Sequence, residues 1–405
     1  MDHERFRERI LALPVWDTHN HLDGSKRLCA QGVWDIANYF WFRRELRGAG
    51  YPDEADRMPE ARRAEALARA MDVASNTAWC RAVRRTMKDL WDAEIASAAG
   101  VLAANEKIRA TARRAGWAEE VCKRMNMARL TVSRVSDNGL HEIRDRLYVM
   151  SGYRPPEAEA ILSTPDQKAA ARRAAETIAE DVSALFDEGV RVFRLTPPTG
   201  TAVPELKAAG NTPEDVTEYL AHALLAAVDK RGGHVQVFLG MVAATRGYRP
   251  RTKAHGHHAL NDPGRVAAMH DLFDMYCGCT FEILNAAQLS SMDIVNAARI
   301  YTNVYPGGLW WFSFRPSVYR ENMQYRLEAL PASRCTLLAS DARCIEWCYC
   351  KTMLVKRLLA DFLADQLRRG RLDEAIALHV GRQWLHETAR RVCLGEESRP
   401  ATSSR

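Results

Sequence analysis

Eight short apolar runs, separated by helical stretches, constrain this chain's fold more than any other feature of its sequence. They lie at 15–22, 129–135, 147–153, 190–195, 234–241, 279–284, 309–314 and 335–339. Continuous apolar runs of this length suit strands buried on both faces. The connectors carry helix signals. Residues 165–187 stop short of Gly189, and 212–231 open on Thr212-Pro213-Glu214-Asp215 and close on Gly232-Gly233. Strand–helix alternation implies a parallel sheet, and eight repeats fit a closed barrel, so the expected class is α/β, a (β/α)8 TIM barrel. A stretch at about 32–127, rich in Ala, Arg and Glu, is expected as a helical insertion after strand 1, and further helices follow strand 8. With 405 residues, 47% of them hydrophobic, one large core is affordable. The expected organisation is one barrel domain over 1–395 and a disordered tail over 396–405.

Charge and cysteine content exclude several classes. Lys and Arg number 57 against 51 Asp and Glu, a mild +6 that is no nucleic-acid footprint. No apolar window reaches the ~18 residues of a membrane span. The N-terminal MDHERFRERILALP lacks the apolar core of a signal peptide, and the ten cysteines show no secreted-framework spacing. A cytoplasmic protein with reduced thiols is expected. Cys344, Cys348 and Cys350 fall in one helical segment with no second ligand pair at zinc-ribbon spacing, so they are taken as packing residues. The expected partner is a small carboxylated molecule, with neither nucleic acid nor membrane, and the expected assembly is a homo-oligomer.

Barrel enzymes place their chemistry at the C-terminal ends of the strands. The first run delivers His19-x-His21; in a strand, i and i+2 share a face, so both imidazoles could grip one ion. The eighth ends Ala339-Ser340-Asp341-Ala342-Arg343. Asp341 suits either a helix N-cap or, beside the histidines of the neighbouring first strand, a metal ligand and base.

These residues carry a resemblance. Asp17-Thr18-His19-Asn20-His21-Leu22 resembles the opening strand of amidohydrolase-superfamily barrels, and the whole chain is similar to the uronate (glucuronate) isomerase family. Tyr153-Arg154-Pro155, Gln236-Val237-Phe238-Leu239-Gly240, Ile283-Leu284-Asn285, Trp310-Trp311-Phe312 and Ser340-Asp341-Ala342-Arg343 resemble that family's motifs in order. The resemblance implies one divalent metal, zinc or alternatively manganese, on His19, His21 and Asp341. It implies catalytic roles for Asp341 and Arg343, and substrate binding by Arg154, Arg343, Tyr39, Trp310 and Trp311. A guanidinium fork meets a carboxylate bidentately, which suits the arginines to an acid.

The departures are as informative. Phe193-Arg194-Leu195 stands where the family has Ser-Asp-His, and Phe238 where it has His. The family's His-Tyr pair maps onto Asn38-Tyr39 or Phe40-Trp41. The runs at 191–195, 234–241 and 279–284 supply no Lys, and their one histidine, His234, lies at the N-terminal end, so a two-metal hydrolase site is not expected. The expected function is mononuclear, metal-dependent proton transfer of the aldose–ketose type on a sugar acid or related hydroxy-acid. The alternative is a hydrolase, lyase or decarboxylase on the same scaffold. His255, His257 and His258 are candidates to complete the site from a loop.

Overall fold

The computed structural model describes residues 3–22, 28–133, 141–151, 153–195, 202–243, 257–259, 263–310 and 313–396. Trp311, His255 and nearly all of the tail lie outside these, as do the side chains of His257 and His258. The strands are β1 (Val15–Asp17), β2 (Met127–Val132), β3 (Leu147–Ser151), β4 (Val192–Leu195), β5 (His234–Leu239), β6 (Met241–Ala243), β7 (His257–Ala259), β8 (Thr280–Asn285) and β9 (Val304–Leu309). Seven of them form one curled parallel sheet in the order β1-β2-β3-β4-β5-β8-β9, while β6 and β7 make a separate antiparallel pair. Each parallel step needs a crossover, and helices such as Gln167–Asp187 and Pro213–Lys230 supply them. The second opens with the expected capping box, Thr212 and Asp215 each satisfying the other's backbone N–H.

The eighth run lies between the sheet's edges without forming a regular strand. Thr336 N–H donates to Pro306 O on the β9 side (3.1 Å). On the β1 side, Thr18 N–H donates to Leu338 O, Asp341 N–H to His19 O (2.9 Å) and His21 N–H to Ala342 O (2.8 Å). The first strand likewise ends at Asp17, so the two histidines stand on backbone beyond it, held by these bonds. Strand alternation therefore does not set their direction; the bonds to the eighth run do.

The seventh strand is Val304–Leu309, five residues earlier than the apolar run at 309–314. Its Pro306-Gly307-Gly308 looks like a turn, but the glycines serve close packing. A Cβ on Gly307 would meet the Glu282 and Leu284 side chains at 2.7 Å, and one on Gly308 would collide with Ala339.

Between β1 and β2 the described chain is helical, from Val33–Ala37 to Trp117–Arg124. At the N-terminal end of the sheet, Trp16, Met150, Val192 and Tyr305 pack with Ala389, Val392 and Cys393 of the Thr388–Leu394 helix. The helix thus packs on that end of the sheet, opposite to the end that carries His19, His21 and Asp341. No helix among the described residues is long and apolar enough to cross a membrane.

Candidate metal centre

Polar residues inside apolar strands build the floor of the site. Glu282 of β8 is fully buried and accepts hydrogen bonds from Thr18 Oγ1 (2.9 Å), Thr336 Oγ1 and Gln236 Nε2 (2.7 Å). Burial pushes its carboxyl pKa up, but these donors and His234 outweigh that and hold it below the usual value. Gln236 of β5 also donates through Nε2 to Thr18 O at 2.7 Å. Its amide nitrogen faces two acceptors, so Oε1 faces His19, 3.3 Å from Nδ1. The His19 proton therefore sits on Nδ1 and the Nε2 lone pair is open. Nε2 is buried and has no hydrogen-bond partner, with Asp341 Oδ1 at 3.8 Å. Burial, His21 and Arg194 lower the His19 pKa well below the ordinary value, which keeps the ring neutral.

His21 Nε2 lies 2.9 Å from the same Asp341 oxygen, and the two imidazoles meet edge-on at 5.0 Å. One ligand atom from each of the three residues falls within 4.8 Å of the others. Ion–ligand bonds of about 2.0–2.1 Å in a tetrahedral site place ligands ~3.3 Å apart, a spacing that 2.9 and 3.8 Å bracket. Two imidazoles, one of them with an orphaned buried nitrogen, and an ionised carboxylate are a donor set a divalent cation takes. No second such cluster occurs among the described residues, and Cys344, Cys348 and Cys350 are simply buried, Cys344 at the N-cap of the Ile345–Arg368 helix and the other two within it.

Asp341 is not the helix N-cap, since Cys344 holds that position. It adopts φ +52°, a left-handed conformation that Asp and Asn tolerate better than other side chains. Burial would raise its pKa, but the His21 hydrogen bond, Lys351 and both histidines hold it below the carboxylate range. Asp17 anchors this segment by accepting from Ser340 N (2.7 Å) and Ser340 Oγ (2.5 Å).

Aromatic and cationic groups surround the three ligands. Phe238 packs edge-on against His19 at 4.9 Å and on Trp310 at 4.5 Å. Tyr39 is buried, and its hydroxyl oxygen accepts from Lys351 Nζ at 2.5 Å; Lys351 also donates to Ser340 O. Arg343 is exposed, with its guanidinium 5.1 Å from the Phe40 ring, and Arg154 is exposed beyond β3. Arg194 is exposed at the end of β4, 4.9 Å over the Phe238 ring.

Three solved structures match the chain almost end to end. They are a uronate isomerase from Bacillus halodurans (TM-score 0.76, 16% identity, 96% of each chain), a uronate isomerase from Thermotoga maritima (0.78, 14%, 96% of this chain and 97% of that one) and a glucuronate isomerase from Caulobacter crescentus (0.77, 15%, 98% and 95%). The chain has the uronate-isomerase fold. No protein-family model and no curated protein sequence matches it, so the kinship is one of structure at low identity.

Within the uronate-isomerase fold, the structure brings together His19, His21 and Asp341, with Tyr39 and Trp310 nearby. It corrects the sequence reading of the pocket wall. Phe193 stacks on Phe186 of the Gln167–Asp187 helix at 5.5 Å, facing outward, and Leu195 shares its face. Arg194 points inward between them. Sequence reasoning gave no role to Arg194, Gln236, Glu282 or Lys351. For Gln236 and Glu282 a signal existed: a lone polar residue at an inward position of HVQVFL and TFEILN.

Proposed function

We propose that this protein is a mononuclear metal-dependent isomerase of the amidohydrolase superfamily, a closed (β/α)8 barrel with a helical insertion after strand 1 over one domain, 1–395. It moves a proton between adjacent carbons of a hydroxy-carboxylic acid. The observation carrying the proposal is the buried, partnerless Nε2 of His19, aimed at the carboxylate that His21 also meets. His19, His21 and Asp341 would hold one divalent ion, zinc or manganese. Bound there, such an ion supplies Lewis acidity to a substrate carbonyl and its neighbouring hydroxyl.

The chain's own groups do the rest. Asp341 takes the proton from the carbon bearing the hydroxyl and returns it to the former carbonyl carbon, while the hydroxyl proton passes to the carbonyl oxygen. Arg343 and Arg154 bind the acid group and offset the negative charge that develops on the two oxygens. Tyr39 contributes its hydroxyl, and Trp310 a wall for the substrate. Phe238 presents its ring beside His19 with Trp310 packed on it, so a hydroxyl facing them loses its hydrogen bonds at roughly 1–3 kcal/mol each. D-Glucuronate and D-galacturonate should therefore turn over weakly, and acids with an apolar portion better.

The test is incubation of metal-loaded protein in D2O with a panel of uronates and apolar hydroxy-acids, followed by proton NMR. Exchange at the carbon beside the carbonyl, with appearance of the isomer, is expected. Release of acid from lactones, esters or amides without any exchange would establish the hydrolase alternative instead.

A further inference from the structure

We propose that the site takes a doubly anionic acid, with Arg194 binding a second anionic group at the far side of Phe238 from the metal ligands. The proposal rests on the metal-site reading above for the position of the first acid group.

The register of the sheet establishes the direction of Arg194. It pairs with Gln236 across β4 and β5, and partners in a parallel pair point to the same face. Gln236 points inward, because its amide meets Thr18 O and Glu282. Two residues further along β5, Phe238 also points inward, touching His19. Arg194 lies over that ring, so its guanidinium stands in the mouth of the sheet with one aromatic ring between it and His19.

The charge balance then points to the ligand. Arg194 and its neighbour Arg154 stand at the C-terminal ends of β4 and β3, and Arg343 follows the eighth run two residues after Asp341. Among the described residues none of the three forms a hydrogen bond or ion pair, although surface arginines elsewhere in the chain pair freely, as Arg43 with Asp56 and Arg146 with Glu119 do. Asp341, the carboxylate that acts on Arg194 among the described residues, is engaged by His21. Burial and the neighbouring Arg154 weaken the protonated form of Arg194 while Asp341 supports it. With the first acid group assigned to Arg154 and Arg343, as the proposed function has it, Arg194 is left to take a second anion. Like charges brought together without counter-charge cost stability, and an arriving anion relieves that cost. A guanidinium fork presents paired N–H donors to a carboxylate or a phosphoryl group alike.

Three 2-hydroxy-acids with the same apolar spacer test this by calorimetry on the metal-loaded protein: 2-hydroxyhexanoate, 2-hydroxyadipate and 2-hydroxy-5-phosphonopentanoate. At least one dianion should bind about tenfold or more tighter than the monoacid, and the two dianions together show whether a carboxylate or a phosphoryl group is preferred. In Arg194→Gln the gap should close to within about threefold while the monoacid's affinity holds. Equal affinities, no dianion binding at all, or a gap that survives Arg194→Gln would overturn the proposal. Bound metal and deuterium exchange without a dianion preference would sink this inference alone. An Arg194-dependent dianion preference in a protein that holds no metal would sink the metal-site reading instead.

Discussion

Gln236 determines which nitrogen of His19 is open. Its Nε2 is committed to Thr18 O and Glu282, so its Oε1 takes the Nδ1 proton of His19 at 3.3 Å and leaves Nε2 facing Asp341. Such outer hydrogen bonds raise the ligand's basicity and hold its ring in place. Gln236→Leu should therefore weaken metal affinity by roughly 10- to 100-fold in a folded protein. Metal titration checked against far-UV circular dichroism measures this, and an unchanged affinity in a folded variant would remove Gln236 from the site.

Lys351 holds Tyr39 in the same manner. Its ammonium donates to the phenol oxygen at 2.5 Å, which leaves the hydroxyl proton of Tyr39 to point elsewhere. The rings of Tyr39, Phe314 and Trp79 surround Nζ at 4.6, 5.4 and 5.5 Å. Burial lowers its pKa to about 8, against support from Asp341 and Asp17. Lys351→Met should cut kcat about tenfold with metal content intact, and combined with Tyr39→Phe it should cost no more than Tyr39→Phe alone. Additive losses would mean that Lys351 acts by another route.

Asp341 sits in left-handed backbone that Asn also tolerates, so Asp341→Asn keeps shape while removing the base and much of the ligand charge. Turnover should fall by ~10² or more with thermal stability little changed. A variant that keeps near-normal turnover would assign Asp341 a structural role only.

How much of this the sequence discloses depends on how local each signal is. His19, His21 and Asp341 are legible because each ends an apolar run, and hydrogen bonds between the first and eighth runs bring them together. The inward face of β4 is not legible, because a one-residue change of parity exchanges Phe193 for Arg194, and only pairing with Gln236 decides it. Lys351 reads as an ordinary helix cation until the Ile345–Arg368 helix is seen to be packed on nearly every side. The seventh strand hides behind Pro306-Gly307-Gly308, whose glycines answer contacts with Glu282, Leu284 and Ala339 far away in sequence.

The central claim is that His19, His21 and Asp341 form one metal site. Elemental analysis of protein purified after growth with zinc and manganese supplied tests it most directly. About one divalent ion per chain is expected in the wild type, and none in the double variant His19→Ala/His21→Ala. A wild-type protein with essentially no metal, or a double variant that keeps its ion, would contradict the account.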